Sequence, residues 1–272
     1  MLCLSHPPVA QSVEREAYTF VVLGSSPSGR TMELLLIFLA AIPIGIFGIL
    51  IGGNAVLSIP LFQILYPEMT LGAIIGNIKP GSVVRNIASL VPVWRDLNYR
   101  TIAPLLIPLV AGSAIAALLV SSVSQAWVLP VLMLGWLVVE YAPKLAHRIS
   151  PNIQWAGAWL VGMYGGVLGA GVSLLILSLL RIQNPAGDDI YLLRAHALWL
   201  ETLFTSAAVA VFLYQGLVFW PIALVWLVGA LIGGYVGGRL LKYTGRLSGR
   251  TQTRILRAGF VFAIAVAASY FI

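Results

Sequence analysis

The chain has 272 residues, of which 60% are hydrophobic and 9% charged, where a soluble domain carries roughly 25% charged residues. That excludes a water-soluble globule and indicates an all-α polytopic membrane protein, since spanning a bilayer takes runs of about 20 apolar residues. The net charge of +7 does not point to nucleic acid, because the basic residues gather at the ends of apolar runs, where cytoplasmic topology markers stand.

Residues 1–31 read as an extension outside the fold and disordered. "VAQSVER" (Val9–Arg15) back-translates into a stretch resembling the D-arm of a transfer RNA gene, and "GSSP" (Gly24–Pro27) into one resembling its T-arm. Translation is therefore expected to begin at Met32. A signal sequence is the alternative, but the segment lacks an apolar h-region before a small-residue cleavage site. Cys3 is the single cysteine, which excludes an intramolecular disulfide and any multi-cysteine metal site.

From Met32 onward, eight apolar runs are candidate membrane segments: Met32–Tyr66, Thr70–Trp94, Ile102–Val120, Trp127–Ala142, Ile153–Leu180, Tyr191–Tyr214, Val218–Leu241 and Ile255–Ile272. The first contains "GIFGILIGGN" (Gly45–Asn54) and the fifth "GMYGGVLGAG" (Gly162–Gly171). A helix-interior glycine costs about 1 kcal/mol relative to alanine, so such density needs a reason. Gly45, Gly48 and Gly52 fall on Gly162, Gly165 and Gly169 at a constant offset of 117, which also carries Pro104 onto Pro221 and Gly112 onto Gly229. Glycine- or proline-interrupted segments in corresponding halves are a transporter signature. The expected fold is two repeats, 32–148 and 149–272. Each is a glycine-broken segment, spanning or re-entrant, followed by three transmembrane helices.

Loop charge orients the repeats. "RDLNYR" (Arg95–Arg100) is charged and "SSVSQ" (Ser121–Gln125) is not. In the second half "YQGLVF" (Tyr214–Phe219) is uncharged, and the dense cluster Arg239, Lys242, Arg246, Arg250, Arg254 and Arg257 follows. Equivalent loops then face opposite sides, an inverted repeat. Lys144, His147 and Arg148, and then Arg181 and Arg194, bracket the fifth run on one side. That run would enter and leave on the same side as two half-depth helices meeting at the glycines. Irregular backbone at membrane depth survives only where protein buries it or a watery cavity faces it. Close helix packing of the GxxxG kind is the competing explanation.

Two runs carry charge. In "GNIKPGSVVRN" (Gly76–Asn86), Lys79 lies about 13 Å along its segment at 1.5 Å per residue, near mid-membrane. Pro80 and Gly81 follow it, so the helix is expected to be interrupted there. Arg85 stands further along, as a substrate ligand or a structural pair. Intramembrane cations are costly and mark pathways or partners. The offset takes Lys79 to His196, and Glu201 follows five residues later on a largely different face. A histidine beside a carboxylate can exchange protons near neutral pH, although a lone membrane histidine is more often hydrogen-bonded packing. Arg194 can instead sit at the interface.

The sequence resembles the sulfite exporter TauE/SafE family of permeases. The resemblance rests on "GIFGILIGGNAVLSIPLF" with "LGAIIGN", on "GMYGGVLGAGVSLLIL", and on "VGALIGGYVGGRLL", and covers essentially Met32–Ile272. It implies a duplicated bacterial inner-membrane transporter of sulfite or small organosulfonate-type oxyanions. Asn54 stands where a third glycine is usual, and Asn77 where threonine is typical.

Secondary transport of a small anion is the favoured function. Substrate would meet Gly52, Gly53, Asn54, Asn77, Lys79, Arg85, Gly169, Gly171 and His196, and His196 with Glu201 would couple protons. Half-helix N-termini suit anions, and an arginine fork can grip an oxyanion bidentately. The alternatives are a transporter-like subunit without flux of its own, and a membrane enzyme. For the enzyme there is no metal cluster and no "GxxxxGK[ST]" loop. No catalytic residue, cofactor or metal is expected. The partners are the anion and the lipid bilayer, not nucleic acid, with homo-oligomerisation left open.

This topology predicts that cysteines placed in Ser121–Gln125 or Tyr214–Phe219 react with an impermeant reagent outside the cell. Cysteines in Arg95–Arg100 or Lys242–Arg257 should react only after permeabilisation, and labelling of both pairs from one side would remove the inverted arrangement.

Overall fold

The computed structural model describes residues 27–52, 54–91, 94, 97–120, 130, 133, 137, 154–169, 171–183, 190–244, 254, 257, 258, 261 and 265. Of the extension 1–31 expected to be disordered, residues 27–31 are helical, and 1–26 lie outside the described residues, as do most of the runs Trp127–Ala142 and Ile255–Ile272. Among the described residues the chain is all helix: α1 (Pro27–Ile51), α2 (Ala55–Leu65), α3 (Leu71–Leu90), α4 (Tyr99–Val120), α5 (Gln154–Val167), α6 (Val172–Gln183), α7 (Ile190–Tyr214) and α8 (Trp220–Thr244). Helix α1 begins five residues upstream of Met32.

Four of these helices are long and apolar enough to cross a membrane: α1, α4, α7 and α8. Their outward faces carry large exposed side chains such as Leu35, Leu39, Ile107, Leu119, Leu213, Leu224 and Val228. Water would disfavour so much apolar surface; lipid accepts it. The chain is a multi-pass membrane protein.

The run Met32–Tyr66 is two helices rather than one span. Helix α1 ends at Ile51, and Gly52 follows at φ 85°, a left-handed conformation that glycine adopts without steric cost. The run Ile153–Leu180 divides in the same way, with Gly169 at φ 68° and Gly171 at φ 72° between α5 and α6. Helices α2 and α6 hold 11 and 12 residues. At 1.5 Å per residue each is about 16–18 Å long, roughly half of a 30 Å hydrocarbon core.

The expected interruption at Lys79–Gly81 does not occur. Helix α3 runs unbroken from Leu71 to Leu90 through Pro80. Proline removes one intrahelical hydrogen bond, but α3 is the most enclosed helix of the fold, with buried residues on every face. Packing from α8 and α7 keeps it helical through the missing bond. Enclosure by protein also explains why α3 tolerates Asn77, Lys79, Ser82, Arg85 and Asn86, all buried.

The helices pack in the spatial order α1, α8, α3, α7, α4, α5, with α3 against α7 at the centre. Small residues set that order. On α8 a Cβ at Gly229 would meet Ala41 and the Phe38 carbonyl of α1, and one at Gly233 would meet the Ile42 carbonyl and Gly45. Gly234 and Gly238, on another face, lie against the backbone of Arg85 and Ser89 in α3. Helix α4 meets α5 likewise: Gly112 abuts the Trp159 carbonyl, Gly162 abuts Leu109, and Gly166 abuts Ser113. Lipid supplies no hydrophobic drive for helix association, so backbone approach and the dispersion it gains carry the packing. Gly45 and Gly162 therefore serve packing, while Gly52, Gly169 and Gly171 serve the chain breaks.

Gly166→Ala should lower the thermal stability of the detergent-solubilised protein by the equivalent of about 1–3 kcal/mol, the usual range for overpacking. Gly157→Ala is the control, because its Cβ would meet only Leu179 Cδ2 at 3.5 Å. Equal melting temperatures for the two variants would contradict the packing role of Gly166.

Candidate functional site

The two chain breaks meet. The N–H of Gly171 donates to the Gly52 carbonyl at 2.6 Å, so each broken segment satisfies a backbone group of the other. An unsatisfied backbone group at membrane depth would cost several kcal/mol. A side chain at Gly52 would strike Ser173 of α6, so the breaks also approach sterically.

Beside this junction lies a cavity with room for about one water molecule. Its walls include Asn54, Lys79, Ser82, Gly169, Glu201 and Thr205, together with Ala55 and Val172. The last two are the first residues of α2 and α6, so two helix N-termini open onto one space. The first N–H groups of a helix have no partner within it and carry partial positive charge. Asn54 precedes α2, yet its side chain does not cap the helix; its amide donates to Ser82 Oγ at 3.0 Å.

Lys79 reaches across from α3 and donates Nζ to the Gly165 carbonyl near the end of α5. A cation is favourable at a helix C-terminus, and Gly169 carries no Cβ to crowd it, since one there would lie 3.2 Å from Nζ. Glu201 on α7 accepts from Arg85 Nη2 at 3.1 Å and from Ser173 Oγ at 2.6 Å. Arg85 is 1% exposed and also donates to Asn86 Oδ1 through Nε and Nη2. Its Nη1 has no hydrogen-bond partner among the described residues and occupies the space a side chain at Gly48 would need. That explains the glycine at position 48.

Of the residues singled out in the sequence, Gly52, Asn54, Lys79, Arg85, Gly169, Gly171 and Glu201 come together at this junction. Arg85 belongs to its frame and not to the cavity wall. Gly53 lies outside the described residues. Asn77 points elsewhere: its amide donates to the Ala73 and Leu217 carbonyls, and its Oδ1 accepts the N–H of Phe219 at 2.8 Å, just before α8. His196 is also apart, with Nε2 accepting the N–H of Asn98 at 3.0 Å, just before α4. Ser82, Ser173 and Thr205 carry no charge to mark them in the sequence. Position was the available signal: Ser82 lies one turn after Lys79, and Ser173 two residues after Gly171.

Removing one partner of a buried pair strands the other charge, which costs about 3–5 kcal/mol. Glu201→Ala should therefore lower stability strongly, and Arg85→Met combined with Glu201→Leu should recover most of the loss. Urea unfolding of the three proteins checks this; equal stability of the single and double variants would show that the pair is not the source.

The sequence profile of the sulfite exporter TauE/SafE family matches residues 37–271. A probable membrane transporter protein of Haemophilus influenzae is 26% identical over 219 residues, covering 72% of this chain and 80% of its own. A probable membrane transporter protein of a Sinorhizobium species is 28% identical over 219 residues, covering 76% and 82%. No solved structure matches.

Proposed function

The chain belongs to the sulfite exporter TauE/SafE family, and on that premise we propose that it is a secondary transporter of a small oxyanion, sulfite or an organosulfonate, in a bacterial inner membrane. One observation carries this reading. Among the described residues the buried charged side chains are Lys79, Arg85, Arg194 and Glu201, three cations against one carboxylate. Glu201 is ion-paired with Arg85, so among the described residues Lys79 has no carboxylate at salt-bridge distance, beside a cavity into which two helix N-termini open. Buried charge without a counter-charge is expensive, and a bound oxyanion supplies the missing one.

The cavity is too small for a substrate as it stands, so transport requires the walls to part. Gly52, Gly169 and Gly171 are where the chain can turn with least steric cost. Among the described residues Glu201 is the carboxylate that lines the cavity, and protonating it would remove its ion pair with Arg85 and weaken its bond to Ser173. On this reading proton coupling falls to Glu201, while His196 accepts the N–H that leads into α4.

The two-repeat organisation, 32–148 and 149–272, belongs to the same proposal. Shifted by the offset of 117, α2 (Ala55–Leu65) falls on 172–182, and α6 spans Val172–Gln183. Helix α8 packs on α1 and α3, as α4 packs on α5 and α7, which is the reciprocal arrangement that inverted repeats produce. The short α5–α6 pair fits a re-entrant segment.

Lys79→Gln should raise the half-saturating sulfite concentration in proteoliposome flux at least tenfold, about 1.4 kcal/mol, while shifting the melting temperature little. Lys79→Arg should rescue only in part, because a planar fork is not a compact ammonium. Unchanged affinity with collapsed stability would make Lys79 structural. Absence of flux for every sulfur oxyanion in the unaltered protein would return the chain to the non-transporting alternative.

A further inference from the structure

Arg194 is the buried cation that neither Glu201 nor the central cavity accounts for. It stands near the start of α7, 8% exposed, and its Nη1 has no hydrogen-bond partner among the described residues. It lines a second cavity together with Ile49, Gly52, Ser173 and Leu198. No carboxylate lines that cavity among the described residues. The charge of Arg181, exposed in the last turn of α6, acts on Arg194 with the same sign. Among the described residues, an arginine in such a place has donors to offer and no carboxylate to receive them.

The second cavity has its own lining but touches the same junction as the central one. Gly52 and Ser173 form part of its wall, and both belong to the junction already described. The Gly52 carbonyl receives the Gly171 N–H, and the Ser173 hydroxyl is held by Glu201, which faces the central cavity. The serine–carboxylate contact thus links a wall of one space to a wall of the other. A cation lines each space.

We infer that the Arg194 cavity is a second oxyanion subsite, in line with Lys79, with the Glu201–Ser173 contact as the gate between them. It rests on the anion-transport reading above. An ionised Glu201 repels an anion at its contact with Ser173; a protonated one no longer repels and holds Ser173 by a weaker, uncharged hydrogen bond. Arg194 then holds the solute next to the gate while the gate is shut. The cavity has room for only one or two water molecules, so here too the walls must part to admit an oxyanion, and a lipid phosphate carrying acyl chains would need far more space.

Equilibrium dialysis of radiolabelled sulfite against the purified full chain tests this. The unaltered protein should bind in two phases. Lys79→Gln should remove one phase, Arg194→Gln the other, and the double variant should fall to background. Arg194→Lys keeps the charge but loses the fork, so it should weaken its phase about three- to tenfold without moving the other; it also decides the question if Arg194→Gln does not fold. The inference is overturned if Lys79→Gln and the double variant give superimposable isotherms, or if the unaltered protein binds neither sulfite, sulfate nor 2-aminoethanesulfonate. It is also overturned if phosphatidylglycerol displaces the label and unlabelled sulfate does not, which would make Arg194 a headgroup site. If Lys79→Gln changes nothing while Arg194→Gln lowers binding, the Arg194 subsite stands and the transport site centred on Lys79 falls.

Discussion

The rest of the structure depends on a single backbone hydrogen bond, from Gly171 to Gly52. Two helices stop inside the membrane protein, and each stop exposes groups that hydrocarbon cannot satisfy. Each break answers part of the other's need. Only glycine allows it, because both sides require positive φ and because Ser173 presses against Gly52. Once the breaks are joined, the starts of α2 and α6 are fixed beside them, and Lys79 and Glu201 have a space to face.

Around that junction the long helices work as a scaffold of close backbone contacts. The glycines of α8 divide between two faces, so one helix grips α1 and α3 at once. That leaves α3 sheathed in protein and able to carry two cations without meeting lipid. Packing and chemistry are therefore linked through residue size. Small residues on α8 let α3 come close, and that enclosure lets α3 be polar.

Much of this was legible in the sequence, for identifiable reasons. The membrane class followed from charge scarcity, and the break positions from glycine-dense segments at a fixed offset. Lys79, Arg85 and Glu201 stood out because charge is rare in apolar runs. The unbroken course of α3 was not legible. Pro80 signals a break by local rules, and only the neighbours packed on both sides overrule it. The roles of Asn77 and His196 were equally hidden, since each bonds a backbone N–H more than 90 residues away. Nor could periodicity separate the packing glycines from the turning ones. Gly45 and Gly52 lie on one run, and φ alone distinguishes them.

Asn77 and His196 also bear on how the chain is made. Asn77 of α3 receives the N–H that leads into α8, and His196 of α7 receives the N–H that leads into α4. Each half closes a helix start that belongs to the other. A ribosome emits Asn98 long before His196, so α4 enters the bilayer with that N–H unanswered and waits for α7 to be synthesised. The first half by itself is an unfinished object, and completion of the fold is timed by the arrival of the second.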